Sequence, residues 1–399
     1  MKIVVIGFGQ CGGRIADQFA KLNNRARAHR HIEITPGVFA INSDSADLSG
    51  LSYIKSDYRH RILIGGRKTG GHGVGKINEL GAEIARDDGD KVIDAIRGTK
   101  RFYESDAFLL IASAAGGTGS GAIPVITEFV KERYPDKPVY DLVVLPFEHE
   151  EATEERAIYN SALCLKSVNL VADAVILADN QRYIRKDASL RNNLSKINEL
   201  IAEPFFDLLC AGEEKKQKFI GAKTLDAGDI MQTVTGWTAI GYGKSAVSLF
   251  NLPLPIPRKS DFRTKSTEVN KGIHAMDEAM GDLSISCNPI DASRALYLLS
   301  APHKEMNMDL VKELGDFVRS IAPKATIRNG DYPREKTQVE VTLILSGLSD
   351  VAKVRDYYTK STTLIPEFKK REEEVAGRLK SIEEMGKDLP SLLYREREG

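Results

Sequence analysis

Ala115-Gly116-Gly117-Thr118-Gly119-Ser120-Gly121 follows an apolar run at 108–112 and precedes an amphipathic stretch at 123–133. Glycines this dense after a buried strand form a backbone nest whose N–H groups can all face an anion. Thr118 and Ser120 offer hydroxyl donors as well. A helix opening there adds free N–H groups and its positive dipole end. No Lys follows the glycines as GxxxxGK[ST] requires, so the loop is not a Walker A motif.

A second glycine loop stands at the start of the chain. Gly7-Phe8-Gly9-Gln10-Cys11-Gly12-Gly13 follows the apolar run 3–6 and opens the stretch 11–22. Read literally, Gly7, Gly9 and Gly12 spell GxGxxG, a dinucleotide fingerprint. That fingerprint wants an acidic residue about 20 positions on, at the end of the second strand. Here the second run ends in Asn42-Ser43-Asp44, which lies further along and offers Asp44. One dinucleotide needs one such loop, whereas two loops facing each other across parallel strands suit a triphosphate. The residues alone therefore leave two readings, a triphosphate-binding protein and an NAD(P)-binding Rossmann oxidoreductase.

Further apolar runs at 38–41, 142–145 and 174–178 read as strands buried on both faces, with an amphipathic stretch at 76–85 among them. This alternation predicts an α/β domain with a doubly wound parallel sheet over 1–180. Leu190, Leu194, Ile197, Ile201, Phe205 and Leu208 share one helical face and predict a long helix over Leu190–Ala211, bent at Pro204. That helix and a solvated loop over 212–221, containing Glu213-Glu214-Lys215-Lys216, make a linking segment over 181–220. A smaller α+β domain is expected over 221–360, with strands at 295–300 and 339–344, a helix at Met308–Ile321 and a proline-rich loop at 252–257. A charged tail over 361–399 reads as helical at 367–387, with a solvated face.

Composition removes several classes. The 399 residues carry 56 Lys+Arg and 56 Asp+Glu, a formal net charge of zero, which gives no general case for binding nucleic acid. It also argues against a strongly acidic, salt-adapted proteome. No apolar run reaches the roughly 18–20 residues of a membrane span, so direct membrane insertion is not expected. Cys11, Cys164, Cys210 and Cys287 lie far apart with no CxxC, and no HxxxH pair occurs. A dedicated protein metal site is therefore not expected, and a reducing, cytoplasmic setting is.

The GGTGSG segment resembles the signature loop of the tubulin/FtsZ superfamily of GTPases. Gly9, Gln10, Cys11, Gly12 and Gly13 are similar to that family's first phosphate loop, and Ala40-Ile41-Asn42-Ser43-Asp44 to its second. Gly70-Gly71-His72-Gly73-Val74-Gly75, followed by Asn78-Glu79-Leu80-Gly81-Ala82-Glu83, is similar to the archaeal CetZ branch. The resemblance implies GTP/GDP, usually with Mg²⁺. It implies phosphate contacts from Gly9 to Gly13, Asn42, Gly71, His72, Gly73, Gly116, Gly117, Thr118, Gly119, Ser120 and Gly121. It places guanine on Asn180 and Asn198, whose amides can both donate to and accept from that base. Leu194 stands where the family often stacks an aromatic ring, which leaves plain apolar contact. Spacing from Pro146 favours Glu150 as the ribose contact among Glu148, Glu150, Glu151, Glu154 and Glu155.

Asp226 and Asp229, in Thr224-Leu225-Asp226-Ala227-Gly228-Asp229-Ile230, are three apart at a predicted helix start and share a face. Taken alone, they suit helix capping. The resemblance makes them the family's two acids that polarise water on the GTP of the next subunit. It follows that the partner is another copy of the chain, added head to tail without closure into a filament, with hydrolysis coupled to assembly. The implied role is in cell shape or division; a GTP-binding filament protein with little hydrolysis is the other form of this reading. The ending Leu389-Pro390-Ser391-Leu392-Leu393-Tyr394-Arg395 suits a frayed terminus or an adaptor-docking peptide.

Overall fold

The computed structural model describes residues 1–184, 190–246, 263–335, 337–364 and Pro366. The expected tail helix at 367–387, the ending at 389–395, the proline-rich loop at 252–257 and the side chain of Leu190 lie outside the described residues.

The strands are β1 (Ile3–Phe8), β2 (Val38–Asn42), β3 (Arg61–Leu63), β4 (Ala107–Ser113), β5 (Val139–Leu145), β6 (Ala174–Asp179), β7 (Gly236–Ala246), β8 (Arg294–Ala301), β9 (Thr326–Pro333) and β10 (Gln338–Leu348). Helices in the first half are α1 (Gly9–Arg30), α2 (Ser45–Ser49), α3 (Gly66–Thr69), α4 (Asn78–Asp87), α5 (Gly89–Arg97), α6 (Thr118–Arg133), α7 (Glu148–Thr153) and α8 (Glu155–Val171). Then come α9 (Leu190–Ala211), α10 (Ala227–Thr233), α11 (Arg263–Gly281) and α12 (Met308–Ile321).

The strands form one sheet in the order β3-β2-β1-β4-β5-β6-β7-β10-β8-β9. Pairing is parallel from β3 to β7, antiparallel on both sides of β10, and parallel again between β8 and β9. Alternation along a strand sends side chains to opposite faces. Val4, Ile6 and Phe8 enter a core shared with α4, α6, α8, α11 and α12, while Ile3 and Val5 enter one shared with α1 and α9. On α9, Ile197, Ile201, Phe205 and Leu208 are buried as their spacing predicts, and the helix continues through Pro204.

Three strands escape the apolar pattern, each for a physical reason. β3 and β9 are the edges of the sheet, where one side of the strand needs no apolar neighbour. β7 is interior but glycine-rich because α11 lies against it. A Cβ on Gly241 would come within 2.1 Å of Ala279 O.

The 212–221 segment is not simply solvated. The Glu214 side chain is 1% exposed, 2.5 Å from Arg30 of α1, and accepts the Tyr332 hydroxyl of β9 at 2.7 Å. The Met1 ammonium is buried 2.9 Å from Glu213. A buried carboxylate needs such partners, and they tie the ends of α1 and α9 to the second unit.

Candidate functional site

In the order β3-β2-β1-β4-β5-β6 the chain winds outward from β1 in one direction and then in the other. Open sheets of this kind bind ligands outside the carboxyl ends of the strands where that reversal falls, here between β1 and β4. The two glycine loops leave these two strands, at the starts of α1 and α6. They touch: Gly9 takes a φ of 66°, and a Cβ there would lie 3.2 Å from the Gly119 nitrogen. The first amides of each helix have no intrahelical acceptor, and neither helix has a side-chain N-cap bond.

Close packing explains some of these glycines without a ligand. A Cβ on Gly12 would meet Ile111 O at 2.1 Å, and one on Gly121 would meet Asn78 O at 2.1 Å. Gly116 differs, because a Cβ there would find nothing within 4 Å. Its bareness leaves open space at the mouth of the crevice.

The two hydroxyls of the loop have partners within the fold. Thr118 Oγ1 lies 2.6 Å from Ser43 Oγ, which braces the loop after β4 against the loop after β2. Ser120 is fully buried, donates to Gly116 O and accepts from Asn78 Nδ2 at 3.3 Å. A buried hydroxyl must find a partner in the fold, and in this structure both have one within the loops that border the crevice. Asn42 Nδ2 and Gln10 Nε2 donate to the two oxygens of Asp47 at 3.0 and 2.7 Å. That network borders the crevice.

The third glycine loop takes positive φ at Gly70, Gly71, Gly73 and Gly75. Its amides are engaged: Gly71 N–H on Thr69 Oγ1 (3.2 Å), His72 N–H on Thr69 O (3.2 Å) and Gly73 N–H on Ser43 O (3.1 Å). The loop therefore sits against Asp44 and α2 in a self-satisfied form, and phosphate contact through those amides requires rearrangement.

Asn160, on α8, escaped the sequence reading. It is fully buried and its Nδ2 lies 2.9, 3.1 and 3.0 Å from the carbonyl oxygens of Lys76, Ala115 and Gly116. Its Oδ1 has no partner among the described residues. One amide thus pins the third loop's exit to the glycine nest. The available signal was a polar residue on the buried face that Ala157, Ser161 and Leu165 define.

At the other end of the crevice, three of the five crowded carboxylates separate. Glu150 accepts the Phe147 N–H at 2.9 Å, Glu151 accepts from Tyr357 at 2.5 Å, and Glu154 pairs with Lys76. Arg156 pairs with Glu79 at 2.7 Å. Glu150 is the one whose charge is felt at the first glycine loop: burial pushes the Cys11 thiol up to about 12, Glu150 adds to the rise, and Arg14 opposes it. Asn180 opens a short turn, Asn180–Tyr183, capped by Asp179 and touching α9. Asn180 and Asn198 are both half-buried, and Leu194 joins Cys11 and Tyr183 against the same apolar core.

The acid pair lies toward the opposite, amino ends of the parallel strands, the amino edge, with the glycine loops at the carboxyl edge. Gly236, three residues beyond α10, pairs with Ala174 at the start of β6, while the glycine loops leave strand ends. The strand β5, seven residues long, spans the sheet between those edges, about 20 Å at its usual rise. Asp226 is the N-cap of α10 and accepts the Asp229 N–H at 2.8 Å. Asp229 lies 3.3 Å from Arg328 Nε on β9, whose Nη2 donates to Gln232 at 2.5 Å. Asp331 of β9 accepts the N–H groups of Ala222 and Lys223 at 2.9 and 2.5 Å, which fixes the approach to α10.

A sheet whose touching glycine loops leave the carboxyl ends of its central parallel strands places the chain among the nucleotide-binding α/β proteins. Residues 2–186 match the Tubulin/FtsZ family, GTPase domain, and residues 187–362 match Tubulin-like CetZ, C-terminal domain. The chain is 31% identical over 378 residues to Tubulin-like protein CetZ1 of Haloferax volcanii, covering 89% of this chain and 90% of the relative. It is 30% identical to Tubulin-like protein CetZ of Pyrococcus abyssi, covering 94% and 93%. Among solved structures it is similar to the GDP-bound monomer of CetZ1 from Haloferax volcanii (29% identity, TM-score 0.77, covering 91% of this chain and 99% of that one). It is also similar to a GTPγS-bound protofilament of CetZ2 from the same organism (26% identity, TM-score 0.79, covering 92% and 100%). The chain belongs to the tubulin/FtsZ family, in its CetZ branch. The family of cytoskeletal, filament-forming GTPases replaces the oxidoreductase reading. Asp44, the acid that reading needs, is spent capping α2 through the Ala46 and Asp47 N–H groups.

Proposed function

We propose that this chain binds GTP and GDP, assembles head to tail in the cytoplasm, and hydrolyses GTP at a site completed by the next subunit. The observation that carries the reading is the separation of two touching glycine loops from the acid pair by the length of the parallel strands. No single chain can bring both to one phosphate, whereas stacking one subunit's amino edge on the next one's carboxyl edge can. The protofilament of the CetZ2 relative supports that stacking.

In this reading the backbone amides of Gly9 to Gly13 and Gly116 to Gly121 take the phosphates, with Asn42 and the loop of Gly71, His72 and Gly73 beside them. Asn180 and Asn198 read guanine, and Glu150 holds the ribose. Asp226 and Asp229 of the neighbour orient a water and draw its proton, while the fixed amide dipoles stabilise charge on the γ-phosphate. Residues 1–180 serve as the nucleotide domain, 181–220 as the link, 221–360 as the domain that presents the acids, and 361–399 as a tail for an adaptor.

Among the described residues no three His, Cys, Asp or Glu side chains gather as a metal cluster. Mg²⁺ suits such a site, since it keeps waters and phosphate oxygens and asks for one or two oxygen donors, which the Gln10–Asp47–Asn42 group can supply. Bound there, it would neutralise charge on the phosphates. No described helix is long and apolar enough to cross a membrane. The filament's role is in cell shape or division.

The test is phosphate release from GTP with Mg²⁺ over a range of protein concentrations, for the wild type and Asp226→Asn. Asn caps a helix as well as Asp does, so this change removes the charge and keeps α10. A shared site gives turnover per subunit that rises above a threshold in the wild type and is lost in the variant, with GTP binding kept. Flat specific activity overturns the shared site. Binding and assembly without turnover selects the weakly hydrolysing form.

A further inference from the structure

After β10 the chain turns at Ser349 and Asp350, whose N–H groups donate to Asp291 at 2.7 and 2.8 Å, and enters a closing helix at 352–364. Val351, Val354 and Tyr357 recur every three residues and are buried in the core shared with α4, α6 and α8. That packing carries the end of the second unit back onto the first, where Lys353 meets two carboxylates. Its Nζ lies 2.8 Å from Asp179 and 3.5 Å from Glu151. Tyr357 donates its hydroxyl to the same Glu151 oxygen at 2.5 Å. The Lys353, Asp179 and Glu151 side chains are 20%, 9% and 12% exposed, so the cluster stands largely out of water.

Both carboxylates are attached to candidate nucleotide contacts. Asp179 accepts the Gln181 N–H at 3.1 Å and so caps the turn that begins at Asn180. Glu151 follows Glu150 in α7, and the Glu150 carboxylate is held on the Phe147 N–H. One ammonium from the far end of the chain thus joins the segment that presents the base contact to the one that presents the ribose contact. Without it, two largely desolvated carboxylates would face each other with no cation between them, and repulsion would part the segments.

We infer that Lys353 is a positioning residue for the base and ribose end of the nucleotide site, setting the spacing between Asn180 and Glu150. The inference rests on the proposed nucleotide site. It assigns Lys353 to recognition of the guanine nucleoside and gives it no share in holding phosphates, because the glycine loops are braced separately by Asn160 and Ser43.

The experiment uses the full-length chain stripped of nucleotide. Equilibrium binding of a fluorescent GDP is measured, then its displacement by GDP, ADP and inorganic tripolyphosphate. The wild type is compared with Lys353→Met, Lys353→Arg and Tyr357→Phe. Lys353→Met is expected to weaken GDP about tenfold, leave tripolyphosphate within about twofold, and so narrow the preference for GDP over ADP. Lys353→Arg keeps the charge and is expected to restore GDP affinity to within about threefold of the wild type. Tyr357→Phe removes one hydroxyl and should show the same pattern at about twofold to threefold, which decides the matter if Lys353→Met does not fold. Equal losses for GDP and tripolyphosphate, or unchanged GDP affinity and preference in both variants, overturn the inference. A wild type that binds no GDP overturns the site itself and the inference with it.

Discussion

The two edges of the parallel sheet are built on opposite plans. At the carboxyl edge the chemistry is backbone: amides at two helix starts, with the neighbouring side chains turned inward. Thr118 is tied to Ser43, Ser120 is buried, and Asn160 holds three loop carbonyls. At the amino edge the chemistry is side chain: two aspartates at the start of α10, one its N-cap and one in its first turn, both reachable by solvent and steadied by β9. On the proposed function, the amides at the two helix starts take the phosphates within one chain. A pair of exposed carboxylates has nothing to act on until another molecule arrives. The difference makes binding and hydrolysis, on the proposed function, separable by mutation, one edge at a time.

The largest expected effect is at the amino edge. Asp229→Ala should lower GTP turnover in assembled protein by about 100-fold or more. GDP affinity of the isolated subunit should stay within about threefold, since nothing at the carboxyl edge has changed. Phosphate release and fluorescent GDP binding, measured on the same preparation, check both halves. Loss of GDP binding would break the division between the edges.

At the carboxyl edge the pattern should reverse. Asn160→Ala leaves the Ala115 carbonyl without its donor and leaves Arg156 and Ser120 alone on the Lys76 and Gly116 carbonyls, and should cost about 2 kcal/mol in urea unfolding. GDP should weaken about 30-fold as the nest relaxes. A milder change sharpens the point. Gly116→Ala adds a methyl where nothing lies within 4 Å, so stability should hold within about 0.5 kcal/mol while GDP weakens about tenfold. Gly121→Ala is its control: its Cβ meets Asn78 O at 2.1 Å, so it should destabilise the fold by about 2 kcal/mol or more. If Gly116→Ala binds GDP normally, the open space is not where the ligand lies.

These contrasts follow the limits of reading the chain from its letters. Glycine density, strand-length apolar runs and the heptad-like face of α9 are local signals, and they located the loops, the central strands and α9. The edges β3 and β9 carry polar residues because one side of each is unpaired, so periodicity passes over them. Glu214 looks solvated beside two lysines, yet Arg30 and Tyr332, distant in sequence, bury it. The roles of Asn160, Lys353 and Arg328 arise from contacts across tens to hundreds of positions, and no spacing rule reaches that far. Position along the chain was legible where the physics is local, and partnership was not.

The smallest expected effect tests whether the amino edge is tuned by its own scaffold. Arg328 is 3.3 Å from Asp229 and donates to Gln232, with side chains 24% and 38% exposed for Arg328 and Asp229. An ion pair this exposed contributes at most about 1 kcal/mol to folding, so Arg328→Ala should unfold almost as the wild type does. In the proposed filament the neighbour would cover the pair, water would leave, and the same attraction would strengthen. Arg328 would then hold Asp229 in place and offset the repulsion between the acid pair and a triphosphate. Turnover above the assembly threshold should fall about threefold in Arg328→Ala, and Arg328→Lys should lie between, keeping the charge and losing the fork that also reaches Gln232. GDP binding by isolated subunits should not change. A loss of GDP affinity in that variant would mean that β9 speaks to the glycine loops within one chain, and the separation of the two edges would no longer hold.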